Sequence, residues 1–202
     1  MQQARASRIS YVILPRRAAA ARNNQYAEVM YQTDLAIIAT YASAREKEND
    51  EFRSWLKDKD GLLLDQVVHN INDTVSAGID CTACGNCCKT LVIDVSAAEM
   101  ATCAAHLHMP QETFKEQYLE ESQQGKLYIS TIPCHFLADN KCTIYANRFT
   151  DCRAFPHLYK DGFRDRLPGT LMHYGKCPIV YNVLEELKDT LGYPRQDHLS
   201  PA

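Results

Sequence analysis

Four of the nine cysteines in this 202-residue chain fall within a single run, Cys81-Thr-Ala-Cys84-Gly-Asn-Cys87-Cys88. A Cys-x-x-Cys step places two thiolates on one side of a tight turn, where they grip a soft cation. Two steps in series aim three sulfurs at a common centre, the arrangement that seats zinc or an iron–sulfur cluster. Four more cysteines, Cys134, Cys142, Cys152 and Cys177, are scattered over a loop-rich region at 133–177. Neighbouring residues point their side chains apart, so Cys87 and Cys88 are not expected to chelate one tetrahedral ion together. That favours two centres, or one centre with a thiol held nearby for chemistry. Two four-sulfur zinc sites would use all eight cysteines. A cubane cluster would use the triplet and one remote cysteine, and Cys177-Pro178 is a loose analogue of the Cys-Pro that ends the bacterial ferredoxin run. The spacing leans slightly to iron–sulfur over zinc. Pure stapling weighs as much as catalysis here, because structural zinc can supply roughly 10–16 kcal/mol of binding free energy to a loop-rich fold.

Other residues are weighed against this set. Cys103 lies among alanines inside a helical stretch and reads as a small buried hydrophobe rather than a ninth ligand. Lys89, Lys141, Arg148, Arg153 and Lys176 all lie near cysteines, where a cation offsets thiolate charge. Lys141 and Lys176 read as solvated surface. Arg153, directly after Cys152, is the better candidate for an inward role, donating to a ligand sulfur or holding an anionic group of a substrate. His157, after Phe155-Pro156, and His135, after Cys134, are the histidines placed to act near a metal. His69, His106, His108, His173 and His198 show no ligand spacing.

The formal net charge is −3. Residues 1–29 hold five arginines against Glu28 alone, a net of +4, so 30–202 carries −7. An acidic body argues against broad nucleic-acid binding, which needs a basic face. The longest nearly apolar stretch, at 35–42, falls far short of the roughly 20 residues of a membrane span. No secretory signal is legible, so nine cysteines point to a reducing cytoplasm, where thiols bind metals rather than pair.

The elements that must position the sulfurs follow from periodicity. Residues 1–29 read as a basic arm outside the core, 30–192 as one domain and 193–202 as a frayed tail. Good helix formers fill 34–59, with Ala36, Ile37, Tyr41, Ala44, Phe52 and Trp55 as candidate buried positions and Gly61 ending the segment. A second helix over 62–75 carries Leu64, Val67, Val68, Ile71 and Val75 on one stripe and delivers the chain into the cysteine run. Short strands are expected at 90–94 and 127–130, with a β-bridge at Cys142-Thr-Ile-Tyr145. Ser96 and Glu99 form a capping box for a helix over 97–108, and another follows over 111–122. Pro178 opens a last helix lined by Ile179, Val180, Val183, Leu184, Leu187 and Leu191.

The assembled pieces resemble the cysteine-cluster family written CxxCxxCC, the YkgJ-type proteins. The matching pieces are Cys81-x-x-Cys84-x-x-Cys87-Cys88, Pro133-Cys134-His-Phe-Leu137, Asn140-Lys-Cys142-Thr-Ile-Tyr145, Cys152-Arg153-Ala-Phe155-Pro156-His157 and Cys177-Pro178. One departure is that Phe149 follows Arg148 where the family often has proline. The resemblance implies a zinc- or iron-chelating domain. It also extends to the domain of flagellin lysine N-methylases, which implies S-adenosylmethionine-dependent methyl transfer to protein lysines, although no Gly-rich strand-to-helix fingerprint for that cofactor is present.

The expectation is a mostly helical α+β domain whose helices scaffold a cysteine-lined metal site with a few short strands. Its function is expected to be metal binding that supports redox or group-transfer work. The alternatives are the methyltransferase or a zinc-stapled interaction module with a protein partner.

Overall fold

Asp34 starts the first helix of the computed structural model, which describes residues 31–195. Its carboxylate accepts the N–H groups of Ala36 (2.8 Å) and Ile37 (3.1 Å), capping α1 at Leu35–Ala44. The single helical segment expected over 34–59 is broken at Arg45, whose guanidinium reaches Glu185 and the Tyr181 hydroxyl, and α2 follows at Glu46–Trp55. The break also shifts the buried face of α1. Ile38 enters the core, while Ala36, Ile37 and Ala44 are exposed.

Gly61 opens a helix instead of ending one, because Asp60 accepts from Leu63 N–H (3.0 Å) and caps α3, Gly61–Ala77. The expected stripe of α3 is buried at Leu64, Val68, Ile71 and Val75, and it packs on the last helix, which covers Pro178–Thr190. That helix buries Ile179, Val180, Val183, Leu184 and Leu187. Each such side chain stabilises the fold by about 1.5–3 kcal/mol when taken fully out of water. On the same helix Lys188 is wholly buried, which an ammonium tolerates only with partners. Its Nζ donates to Glu48 (2.7 Å), Asn49 (2.7 Å) and Glu185 (3.1 Å).

A helix at Phe163–Leu171 stands where a loop was expected, since Pro168 and Gly169 inside it disguise its pattern. Its start is set from across the core. Asp65 of α3 accepts the N–H groups of Gly162 (2.7 Å) and Phe163 (2.8 Å). Tyr193 packs edge-on against Phe52 and Trp55, and Arg195 pairs with Glu185 and Asp189, so the chain is held through 195 although fraying was expected from 193. The basic arm at 1–29 and residues 196–202 lie outside the described residues.

A second core forms around β1 (Ile93–Val95), β2 (Glu120–Glu121) and β3 (Leu127–Ile129), an antiparallel sheet in the order β1-β3-β2 with Ile93 opposite Ile129. The helix Ala97–His106 packs there, started by the expected Ser96–Glu99 capping box. The next helix ends at Tyr118 rather than Ser122, because Glu120 and Glu121 pair with β3 in a hairpin that turns at Gly125 (φ 76°). Phe114, Phe136, Ile144, Phe149 and Cys103 complete this core. Among the described residues no helix is long and apolar enough to cross a membrane. The architecture is a mostly helical α+β fold with a few short strands.

Candidate metal centre

The cysteine run is a pair of tight turns. Asp80 accepts from Thr82 N–H (2.8 Å) and caps one helical turn, Cys81–Cys84. Gly85 reverses the chain at φ 60°, and a 3-10 turn carries Cys87–Lys89. Three further segments are tied to this hairpin. Cys88 C=O accepts from Cys134 N–H (2.8 Å), Lys89 Nζ donates to Asn140 Oδ1 (2.6 Å), and Asn86 Nδ2 donates to Lys176 C=O (2.7 Å).

Each remote cysteine is placed by its own element. Cys142 lies on a two-residue strand, Lys141–Cys142, paired with Leu137–Ala138 across Asp139 and Asn140, which both take positive φ. Cys152 lies on a short helix, Thr150–Ala154. Glu99 holds that helix by accepting Thr150 N–H (2.6 Å), and Asp151 accepts Asp94 N–H (3.2 Å). Cys177 stands directly before the last helix.

The eight sequence-predicted cysteines border two adjoining cavities. The smaller, about 50 Å³, is lined by Cys81, Cys84, Cys87 and Cys177 with Phe155, Pro156, His173 and Ile179. The larger, about 490 Å³, is lined by Cys88, Cys134, Cys142 and Cys152 with Tyr145, Arg148 and Tyr159. Cys81 and Cys87 border both, whereas Cys84 and Cys177 border only the first. The cores divide in the same way. Cys177 packs against the helical core, and Cys134, Cys142 and Cys152 pack against the sheet core. Cys103 is wholly buried in the sheet core and lines neither cavity.

Burial pushes the thiols of Cys81, Cys134 and Cys142 up, and those of Cys152 and Cys177 to about 12. Neighbouring thiolates add to each shift: Cys81 and Cys84 act on Cys177, while Cys134, Cys87 and Cys142 act on Cys152. Cys87 and Cys88, expected to point apart, instead bring their sulfurs to 4.0 Å, and the two thiols behave oppositely. The Cys88 thiol hydrogen-bonds Cys87, so Cys87 is held down as the first to ionise and Cys88 is held up as its donor. Among the described residues no three Cys, His, Asp or Glu side chains already stand close enough to hold an ion. Crowded protonated thiols hold one another apart, and metal binding must strip their protons and draw the sulfurs together.

The donor chemistry fits zinc or iron, since thiolates are the ligands both take in closed sites. A second observation supports the fit. His173 Nδ1 is buried without a hydrogen-bond partner on the wall of the smaller cavity, and burial keeps the imidazole neutral by lowering its pKa. An orphaned nitrogen beside four sulfurs is placed to donate N–H to a thiolate.

The other sequence candidates are redistributed. Arg153, expected to reach inward, lines the larger cavity, and its guanidinium donates to the carbonyls of Arg148 (2.7 Å) and Ala146 (3.2 Å), clamping that turn. Arg148 lines the same cavity, stacked over Tyr145 at 4.0 Å. His157 lies on the walls of neither cavity, because its positive φ (61°) after Pro156 turns it away and its carbonyl accepts from Arg166. His135 is exposed and packs edge-on against Tyr118. His173, which the sequence reading passed over as lacking ligand spacing, stands in a His-x-x-x-Cys step before Cys177, whose N–H donates to the His173 carbonyl (2.9 Å).

Residues 80–171 match the family model CxxCxxCC, described as "Putative zinc- or iron-chelating domain". The match takes in every site cysteine except Cys177, which lies beyond its end. No match was found among curated proteins or among solved structures. With its cysteine hairpin, its paired turns and the sulfur-lined cavities it borders, the segment 80–171 is similar to the CxxCxxCC family, whose model is that of a zinc- or iron-chelating domain.

Proposed function

We propose that this chain is a cytoplasmic metal protein with two neighbouring thiolate centres. Cys81, Cys84, Cys87 and Cys177 form one, and Cys88, Cys134, Cys142 and Cys152 form the other. The observation that carries the reading is that Cys84 and Cys177 border only the smaller cavity and Cys88, Cys134, Cys142 and Cys152 only the larger, with Cys81 and Cys87 on both. Cys87 borders both cavities and is assigned to the first, because the second already has the four donors of a closed site. Bound zinc would hold the loops together and polarise a ligand, while a bound iron–sulfur cluster would carry an electron.

The chain's own residues fit the two centres for different work. The first is the smaller, about 50 Å³, with His173 on its wall, while Phe155, Pro156 and Ile179 line both cavities. The second opens on a cavity large enough for a small substrate, with exposed Tyr145 and Tyr159 at its walls. Redox or group-transfer chemistry belongs there.

Metal analysis of protein purified without oxygen tests this. Two zinc equivalents in a colourless protein, or iron with acid-labile sulfide and absorbance near 400 nm, supports two centres and names their metal. A protein that binds one equivalent, or none, overturns the reading.

A further inference from the structure

Two closed thiolate centres side by side pose an electrostatic problem. A divalent ion in four thiolates leaves each centre with a net charge of about −2. The adjacent Cys87 and Cys88, with sulfurs 4.0 Å apart, would belong to different centres and bring those charges close together. Like charges at short range in a partly buried site disfavour one another strongly. The second ion to bind would therefore meet resistance unless a cation stands between the two.

Arg148 is the side chain placed for this. It lines the larger cavity together with sulfurs from both sets, Cys81 and Cys87 as well as Cys88 and Cys142. It is held by stacking on the Tyr145 ring at 4.0 Å, and the hydrogen bonds of this turn are made by Arg153, leaving the Arg148 charge uncommitted. Of the other nearby cations, Arg153 lines the same cavity but is bound to the carbonyls of Arg148 and Ala146, Lys89 donates to Asn140, and Lys141 and Lys176 are exposed.

We propose that Arg148 is the shared counter-charge of the two centres, a positioning residue that allows both to be filled at once. The inference rests on the two-centre reading. It makes the second metal equivalent, rather than the first, depend on this side chain.

The test is a competition titration of the metal-free full chain with zinc against a chromophoric chelator, for wild type, Arg148→Gln and Arg148→Lys. The wild type is expected to bind two equivalents tightly. Arg148→Gln should bind the first within about twofold of wild type and the second at least tenfold more weakly, while Arg148→Lys keeps most of the second step because it keeps the charge. Equal second-step affinity in wild type and Arg148→Gln overturns the proposal and leaves the two centres standing. If Arg148→Gln fails to fold, a second step in Arg148→Lys weakened as much as by complete loss of the centre also overturns it, since charge would then not be what matters. A wild-type protein that binds only one equivalent removes both this proposal and the two-centre reading.

Discussion

A methyl group on Gly85 would lie 2.7 Å from the carbonyl oxygen of Asn140. The cysteine hairpin and the Leu137–Cys142 hairpin thus touch backbone to backbone, and this contact sets the distance between Cys84 and Cys87 on one side and Cys142 on the other. Gly85 also sits at φ 60°, where a side chain is strained.

Gly85→Ala is therefore expected to cost at least about 1–2 kcal/mol from conformation alone, with more from the clash. Because the two hairpins would be pushed apart, metal content should fall as well. Thermal unfolding and metal analysis of the variant check both effects. Normal metal content would show that this approach does not set the sulfur geometry.

Cys152→Ser and Cys103→Ser separate ligand from core. Cys152→Ser should remove one metal equivalent and several kcal/mol of the stability that the ion supplies. Cys103→Ser places a hydroxyl in an apolar core and should cost about 1–3 kcal/mol while leaving metal content unchanged. Metal loss in the second variant would show the ligand partition to be wrong.

His173→Ala should leave both equivalents in place but weaken the first centre about 10–100-fold, the usual effect of losing a residue that hydrogen-bonds a metal ligand. His173→Asn restores an N–H and should recover part of the loss. Competition titration of the two variants reads this directly, and unchanged affinity in His173→Ala would leave the orphaned nitrogen without a role.

The raised thiols predict a pH dependence that metal abolishes. Cys152 and Cys177 hold their protons to about 12 in the folded metal-free chain, against an ordinary value of 9.0. Between those values the folded state binds more protons than the unfolded one, so stability is fully present below pH 9 and declines as the pH rises toward 12. The loaded protein, whose thiolates are already bare, should lack that decline. Denaturant melts of both forms from pH 8 to 11 check it, and parallel curves would contradict it.

Much of this was legible along the chain. The Cys-x-x-Cys-x-x-Cys-Cys run announced metal chemistry because thiolate spacing within a turn is a local property. The stripe Leu64, Val68, Ile71 and Val75, and that of the last helix, announced buried helices because periodicity is local too. Local signals failed where a distant group decided the outcome. Asp60 turned Gly61 from a stop into a start, and Asp65 supplied the cap for a helix that Pro168 and Gly169 concealed. Individual neighbours of the sulfurs were less legible: Arg148 lines the larger cavity beside Arg153, and His173 rather than His157 lines the smaller. Which of the two arginines is bound to backbone carbonyls is known only once the turn is folded. Sequence alone determined that the cysteine run has the spacing of a metal-chelating domain. The tertiary structure decided how the sulfurs are grouped, because two separate cores carry their anchoring elements and meet at the hairpin between them.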